Sequence, residues 1–80
     1  MAEERVVTLD VRDMIPRERH PKIFALLDEL NNGDVLRLIN DHDPRPLRYQ
    51  LLAERPDQFN WEPEQQGPTE WIVRIEKVKA

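Results

Sequence analysis

The sequence predicts an α+β fold: a two-layer α/β sandwich with two helices on one face of a four-stranded mixed sheet. Short segments with the alternation of β-strands are interrupted by two segments with helical spacing, in the order β-α-β-α-β-β. Right-handed crossovers then place both helices on the same face of the sheet. Since 80 residues suit one such unit, a single domain covering residues 1–80 is predicted.

The first half of the chain predicts a strand, a helix and a second strand. Residues 6–11 alternate apolar and polar side chains, as a half-buried strand does, and residues 12–19 are predicted as a polar loop. A helix is predicted from near His20 to about Asn31, with Pro21 in its first turn, because apolar side chains recur at helical spacing. The Asn32-Gly33 pair is typical of a helix stop, and residues 35–39 form the second strand.

A second helix is predicted over residues 47–55. Asp43 is a plausible cap for it, because its carboxylate can accept a hydrogen bond from a free amide. Pro44 and Pro46 suit the first turn, where a missing amide removes no intrahelical hydrogen bond. The side chains predicted to face the core are Leu47, Leu51 and Leu52.

The last third of the chain predicts an antiparallel hairpin. Its strands are residues 58–62 and 69–78, and Gly67-Pro68 marks the turn. In the second strand Trp71, Val73 and Ile75 alternate on the inward face. Trp61 and Trp71 are expected to face each other across the two strands and so to stabilise the sheet. A stacking platform for nucleic acid bases is the alternative for these rings, and the many surrounding glutamates argue against it.

Composition excludes several classes of function. The chain has no cysteine and no serine, which removes disulfides, thiolate metal sites and both of these nucleophiles. The formal net charge of -4 disfavours binding to nucleic acid. No apolar run approaches the roughly 20 residues of a membrane span, and the first residues do not resemble a signal peptide. The default expectation is a cytoplasmic protein that binds neither nucleic acid nor a membrane.

Polar side chains gather where the first two strands are followed by helices. Arg19 and His20 precede the first predicted helix, and His42 lies between Asp41 and Asp43 after the second strand. Because the carboxyl ends of parallel strands meet at one edge, these groups are expected near each other. His20, His42 and Asp41 would supply an open three-ligand site for a transition metal. The alternative is structural: Asp41 and Asp43 cap the second helix, while His20 caps the first or bonds across the loop.

Half of the basic residues flank the same two junctions. Six of twelve lie there, and helix N-termini already favour anions. Such a surface suits a small anion or an acidic partner, unless the neighbouring aspartates and Glu18 neutralise it. The six are Arg12, Arg17, Arg19, Lys22, Arg45 and Arg48.

The pattern resembles the sulfur-carrier proteins of the TusA and SirA type. Those proteins share the β-α-β-α-β-β order, a Leu-Asp pair in the first strand and a Gly-acidic pair before the second. Leu9-Asp10 and Gly33-Asp34 match these pairs, and residues 41–44 resemble the acidic-proline turn that follows. The resemblance implies the same fold. The carrier cysteine falls on Pro16, so sulfur transfer is not implied.

A resemblance over nearly the whole chain is to an uncharacterised bacterial family, domain of unknown function 2249. The matching motifs are Leu-Asp-Val-Arg from Leu9, Arg19-His20, the Asn-Asp-His-Asp-Pro-x-Pro-Leu run of residues 40–47, and Gly67-Pro68 followed by Trp71. This resemblance implies a bacterial cytosolic setting. It also implies a partner with a hemerythrin-like or other metal-binding module, and it supplies no reaction.

The leading hypothesis is a non-enzymatic binding or accessory domain. It would bind a partner protein or a small ligand at the edge formed by Arg19, His20, residues 41–43 and Arg45. The alternative is a redox accessory protein in which His20 and His42 hold a transition metal or haem. The identity of any cofactor stays open at this point.

Overall fold

The computed structural model describes residues 5–78. The elements along the chain are β1 (Val6–Asp10), α1 (Pro16–Glu29), β2 (Val35–Asn40), α2 (Arg45–Glu54), β3 (Phe59–Gln66) and β4 (Trp71–Lys77). The sheet has the strand order β1-β2-β4-β3, in which β1 and β2 are parallel and the other two pairs are antiparallel. The predicted α+β fold with a four-stranded mixed sheet is confirmed. Neither helix in this part of the chain is long and apolar enough to cross a membrane.

One buried cluster joins both helices to one face of the sheet. Alternate residues of a strand point to the same side, so β2 and β4 each present every second side chain to the helices. Complete burial of each such aliphatic side chain contributes about 1.5–3 kcal/mol. The helices supply Ile23, Leu27, Leu47 and Leu51, and the central strands supply Leu36, Leu38, Val73 and Ile75. The predicted core positions Leu47, Leu51, Val73 and Ile75 are confirmed, whereas Leu52 is 50% exposed and its prediction was wrong.

Helix α1 begins one turn earlier than predicted. Residues 16–19 were predicted as loop because they are polar, but Pro16 takes the first helical position and Pro21 lies inside the helix. A proline fits the first turn because the amide that it lacks has no partner there. Tertiary contacts of Arg19, described below, hold this polar turn against the sheet. The helix ends at Glu29, two residues before the predicted end, and Gly33 follows with a φ of 90°.

Helix α2 begins at Arg45, two residues before the predicted start. Pro46 lies in its first turn as expected, but Pro44 precedes the helix. Asp43 accepts a hydrogen bond from the Arg45 amide at 2.9 Å, yet it lies two residues before the helix and is not its capping residue. The prediction that Asp43 satisfies a free amide of this turn is therefore confirmed, while its capping position was wrong by one residue.

Strand β3 is longer than predicted, because β4 pairs with it as far as Gln66. A bulge between Pro63 and Gln65 shifts the register. Proline is tolerated there because a bulge on an edge strand needs no amide at that point. As a result Trp61 lies opposite Ile75, and Trp71 lies opposite Gln66. The expectation that the two tryptophans face each other directly was wrong.

Candidate functional site

The ends of β1 and β2 and the start of β4 meet at one edge of the sheet, here called the junction edge. Arg12, just after β1, makes paired hydrogen bonds to Asp10, with Nη2 at 2.6 Å from Oδ2, and its Nη1 donates to Glu70 before β4 at 2.8 Å. The hydrogen bonds from Arg12 lower the pKa of Asp10. This arrangement links the end of β1 to the start of β4, which is not its neighbour in the sheet.

Arg19 is a buried clamp rather than an exposed ligand. Its guanidinium donates to the carbonyl oxygens of Met14 and Arg12, at 3.0 and 3.2 Å. It also donates to the side-chain oxygens of Asn40 and Asp41, at 3.1 and 3.0 Å. A buried charge requires such partners because it has lost its water. The predicted site residue Arg19 therefore holds the start of α1 against the end of β2.

Asp41 and His42 form an exposed pair beside this clamp. The Nδ1 atom of His42 lies 2.6 Å from Oδ1 of Asp41. Hydrogen bonds from Arg19, and then from His42, lower the pKa of Asp41 to about 2. The structure thus brings the predicted residues Arg19, Asp41 and His42 together, with Asp41 ionised at the centre.

His20 lies apart from that pair. It belongs to the second turn of α1, and its Nδ1 is 2.8 Å from Oε1 of Gln50 on α2. Gln50 donates to Glu54 through Nε2, so its Oε1 can only accept and Nδ1 of His20 carries the proton. Among residues 5–78, no group of three or more histidine, aspartate and glutamate side chains is arranged to hold a metal ion. A metal site of His20, His42 and Asp41 stays a prediction without support from this geometry.

Asp43 and Arg45 form a further ion pair at the junction edge. Nε of Arg45 donates to Oδ2 of Asp43 at 2.6 Å, while the Arg45 amide donates to Oδ1. The hydrogen bond from the guanidinium is the main cause of the lowered pKa of Asp43. This ion pair borders a pocket.

The pocket has a volume of about 350 Å³ and lies between the start of α2 and the β3–β4 hairpin. Its charged lining consists of Asp43, Arg45 and Arg48, and its aromatic lining of Trp61 and Trp71. Prolines, two glutamine side chains and aliphatic residues of β4 complete the wall. Charged groups beside aromatic and aliphatic surface are the usual composition of a small-molecule site.

The turn at Gly67 fixes one wall of this pocket. Gly67 has a φ of 82°, and a Cβ atom there would lie 2.7 Å from Cζ2 of Trp71, so the turn packs directly against the indole ring.

Arg48 is one turn into α2, where its amide donates to the carbonyl of Pro44. Within the described part of the chain the Arg48 side chain makes no hydrogen bond or ion pair, unlike that of Arg45.

Sequence reasoning did not find the pocket. It grouped Arg48 with other basic residues and assigned Trp61 and Trp71 to sheet packing. The available signal was the spacing of Arg45 and Arg48, which puts both on one face of α2. A second signal was the alternation of Trp71, Val73 and Ile75 along β4, since Trp61 lies opposite Ile75 on the same face.

The fold and this site define a small α+β domain with a charged and aromatic pocket at one edge of its sheet. The chain belongs to a family of uncharacterised conserved proteins, DUF2249, whose model matches residues 8–77. The match includes all residues of the junction edge and of the pocket. No curated protein and no solved structure matches the chain. The resemblance to the sulfur-carrier fold therefore stays a prediction.

Proposed function

We propose that this chain is a non-enzymatic binding or accessory domain that contacts a small ligand or a partner protein at the junction edge. The observation that carries the proposal is the pocket beside Asp43 and Arg45, which combines an arginine without a side-chain partner in residues 5–78 with two tryptophan rings. The proposed binding centre thus lies at the start of α2, beside Asp43 and Arg45, rather than at His20.

The charges of the junction edge support a binding role over a catalytic one. Asp41 and Asp43 both have a lowered pKa because arginines donate hydrogen bonds to them. A carboxylate with a lowered pKa stays ionised near neutral pH and is a poor general acid. Arg19 and His20 are engaged by neighbouring elements of the fold, so their side chains stabilise the scaffold.

A fragment screen by NMR tests the proposal. The labelled domain would be titrated with equal numbers of anionic, cationic and neutral fragments while amide and indole resonances are followed. We expect hits to shift the amides of Arg45 and Arg48 and the two indole signals, and to leave Asp28 and Arg55 unmoved. Hits elsewhere, or no hit of any charge, would reject the pocket as the binding site. Spectra with a purified hemerythrin-like protein test the partner that the family resemblance suggests.

A further inference from the structure

The pocket is a positively charged site on an acidic protein. The chain has a formal net charge of -4, yet Asp43, Arg45 and Arg48 together give the lining a net charge of +1. Two glutamates of the hairpin are engaged elsewhere, and the first is Glu64, which is paired with Arg37 at 2.9 Å. Glu70 is likewise engaged by Arg12. The local field therefore favours an anion with a single charge.

Arg48 is the group available to that anion. Arg45 already donates to Asp43 at 2.6 Å, whereas the Arg48 guanidinium has no partner within residues 5–78. A guanidinium presents parallel N–H donors that match the two oxygens of a carboxylate. A carboxylate is accordingly the anion that fits Arg48, the arginine of the pocket lining without a side-chain partner in residues 5–78.

The remaining lining suits a flat apolar body. Trp61 and Trp71 are half-buried, so parts of both rings remain open. Gly67 fixes one side of the Trp71 ring, which leaves a rigid surface for stacking. The aliphatic lining comes from Ile72 and Val73 of β4. A volume of about 350 Å³ is near the lower end of ligand pockets, which suits a small molecule better than a peptide.

We propose that the pocket binds a small planar monocarboxylate, an aromatic or heteroaromatic acid, with its carboxylate on Arg48 and its ring against Trp61 and Trp71. This inference rests on the proposed function, because it names the ligand class of the same binding site. It assigns Arg48 the role of charge recognition and the two tryptophans the role of shape recognition.

The test uses four probes that separate charge from shape. 2-Naphthoate supplies both features, 2-naphthamide removes the charge, cyclohexanecarboxylate removes the planarity, and inorganic phosphate supplies charge alone. We expect 2-naphthoate to shift both indole signals, and the other three to bind weaker by about tenfold or more, the loss expected for one charge-assisted hydrogen bond or one stacked ring. Equal binding by 2-naphthamide or by cyclohexanecarboxylate would overturn the proposal, as would no binding of 2-naphthoate.

Matched variants locate the charge. Arg48→Gln keeps most of the side-chain length and should weaken 2-naphthoate binding by about tenfold while leaving 2-naphthamide unchanged. Arg17→Gln makes the same substitution on an exposed arginine of α1 outside the pocket and should change neither. Equal effects of the two variants would reject Arg48 as the recognising group. If fragments of another class bind the pocket while 2-naphthoate does not, the binding function stands and the planar acid is rejected.

Discussion

Arg19 and Asp41 are joined by an ion pair of 3.0 Å between Nη1 and Oδ1, and the arginine side chain is 8% exposed while that of the aspartate is 44% exposed. The pair connects the first turns of α1 to the residue that follows β2. It therefore fixes the position of α1 relative to the end of β2, the strand that precedes the pocket residues of α2 in the chain.

Replacing Arg19 should destabilise the fold strongly. Arg19→Leu leaves Asn40, Asp41 and two backbone carbonyls without their donor, and we expect a loss of about 2–3 kcal/mol in the free energy of unfolding. Urea denaturation measures it. Arg17→Leu, on the exposed side of the same turn, should change stability by no more than about 0.5 kcal/mol. Similar losses in both variants would show that the clamp contributes nothing beyond helix composition.

Low pH should remove the contribution of Asp41 to the free energy of unfolding. Its pKa is about 2 in the folded protein against an ordinary value of 3.8, so the folded state favours the ionised form. The stabilisation is complete above the unfolded pKa and disappears as pH falls through the folded one. The difference in unfolding free energy between the wild type and Asp41→Asn should thus shrink as pH falls from about 4 to 2. A difference independent of pH would contradict the ion-pair explanation.

Two substitutions of Asp43 separate its two hydrogen bonds. Asp43→Asn retains an oxygen for the Arg45 amide and loses the ion pair, whereas Asp43→Ala loses both contacts. We expect the melting temperature of the alanine variant to be lower than that of the asparagine variant, and both to be lower than that of the wild type. Equal melting temperatures for the two variants would mean that the amide contact adds no stability beyond that of the ion pair.

Gly67 can be tested against Gly33. Both have a positive φ. An added Cβ atom would contact the Trp71 ring at Gly67, whereas at Gly33 it would have no atom within 4 Å. Each change to alanine should cost about 1 kcal/mol from backbone strain. Only Gly67→Ala should also move Trp71, with a shift in tryptophan emission and altered 2-naphthoate binding. An unchanged emission spectrum in Gly67→Ala would show that the turn does not fix the ring.

Sequence patterns predicted the elements in which buried residues recur at the regular spacing of a strand or a helix. Val73 and Ile75 alternate as β4 requires, and Leu47 and Leu51 recur on one face of α2. The start of α1 was missed because the residues of that turn are polar. Their helical state depends on Arg19 reaching Asn40 and Asp41, which lie more than 20 positions away.

The candidate site was predicted in part. The sequence placed Asp41, His42, Asp43 and Arg45 together at the edge, because they are adjacent in the chain. The hydrogen bond between His20 and Gln50 was not predicted, because it joins two helices that are distant in the chain. Trp61 and Trp71 share one face of the hairpin, because Trp61 lies opposite Ile75 and side chains alternate along β4. That this face forms a pocket with Arg48 depends on the packing of α2 against it, which no local pattern indicates.

The bulge between Pro63 and Gln65 also bears on aggregation. β3 is an edge strand of eight residues, and an edge of that length offers unpaired backbone groups to a strand from another molecule. Proline supplies no amide for such pairing, the bulge breaks the straight edge, and the exposed Glu62 beside it repels a second copy of the same strand. The strand that contributes Trp61 to the pocket thus discourages the domain from stacking edge to edge into fibres.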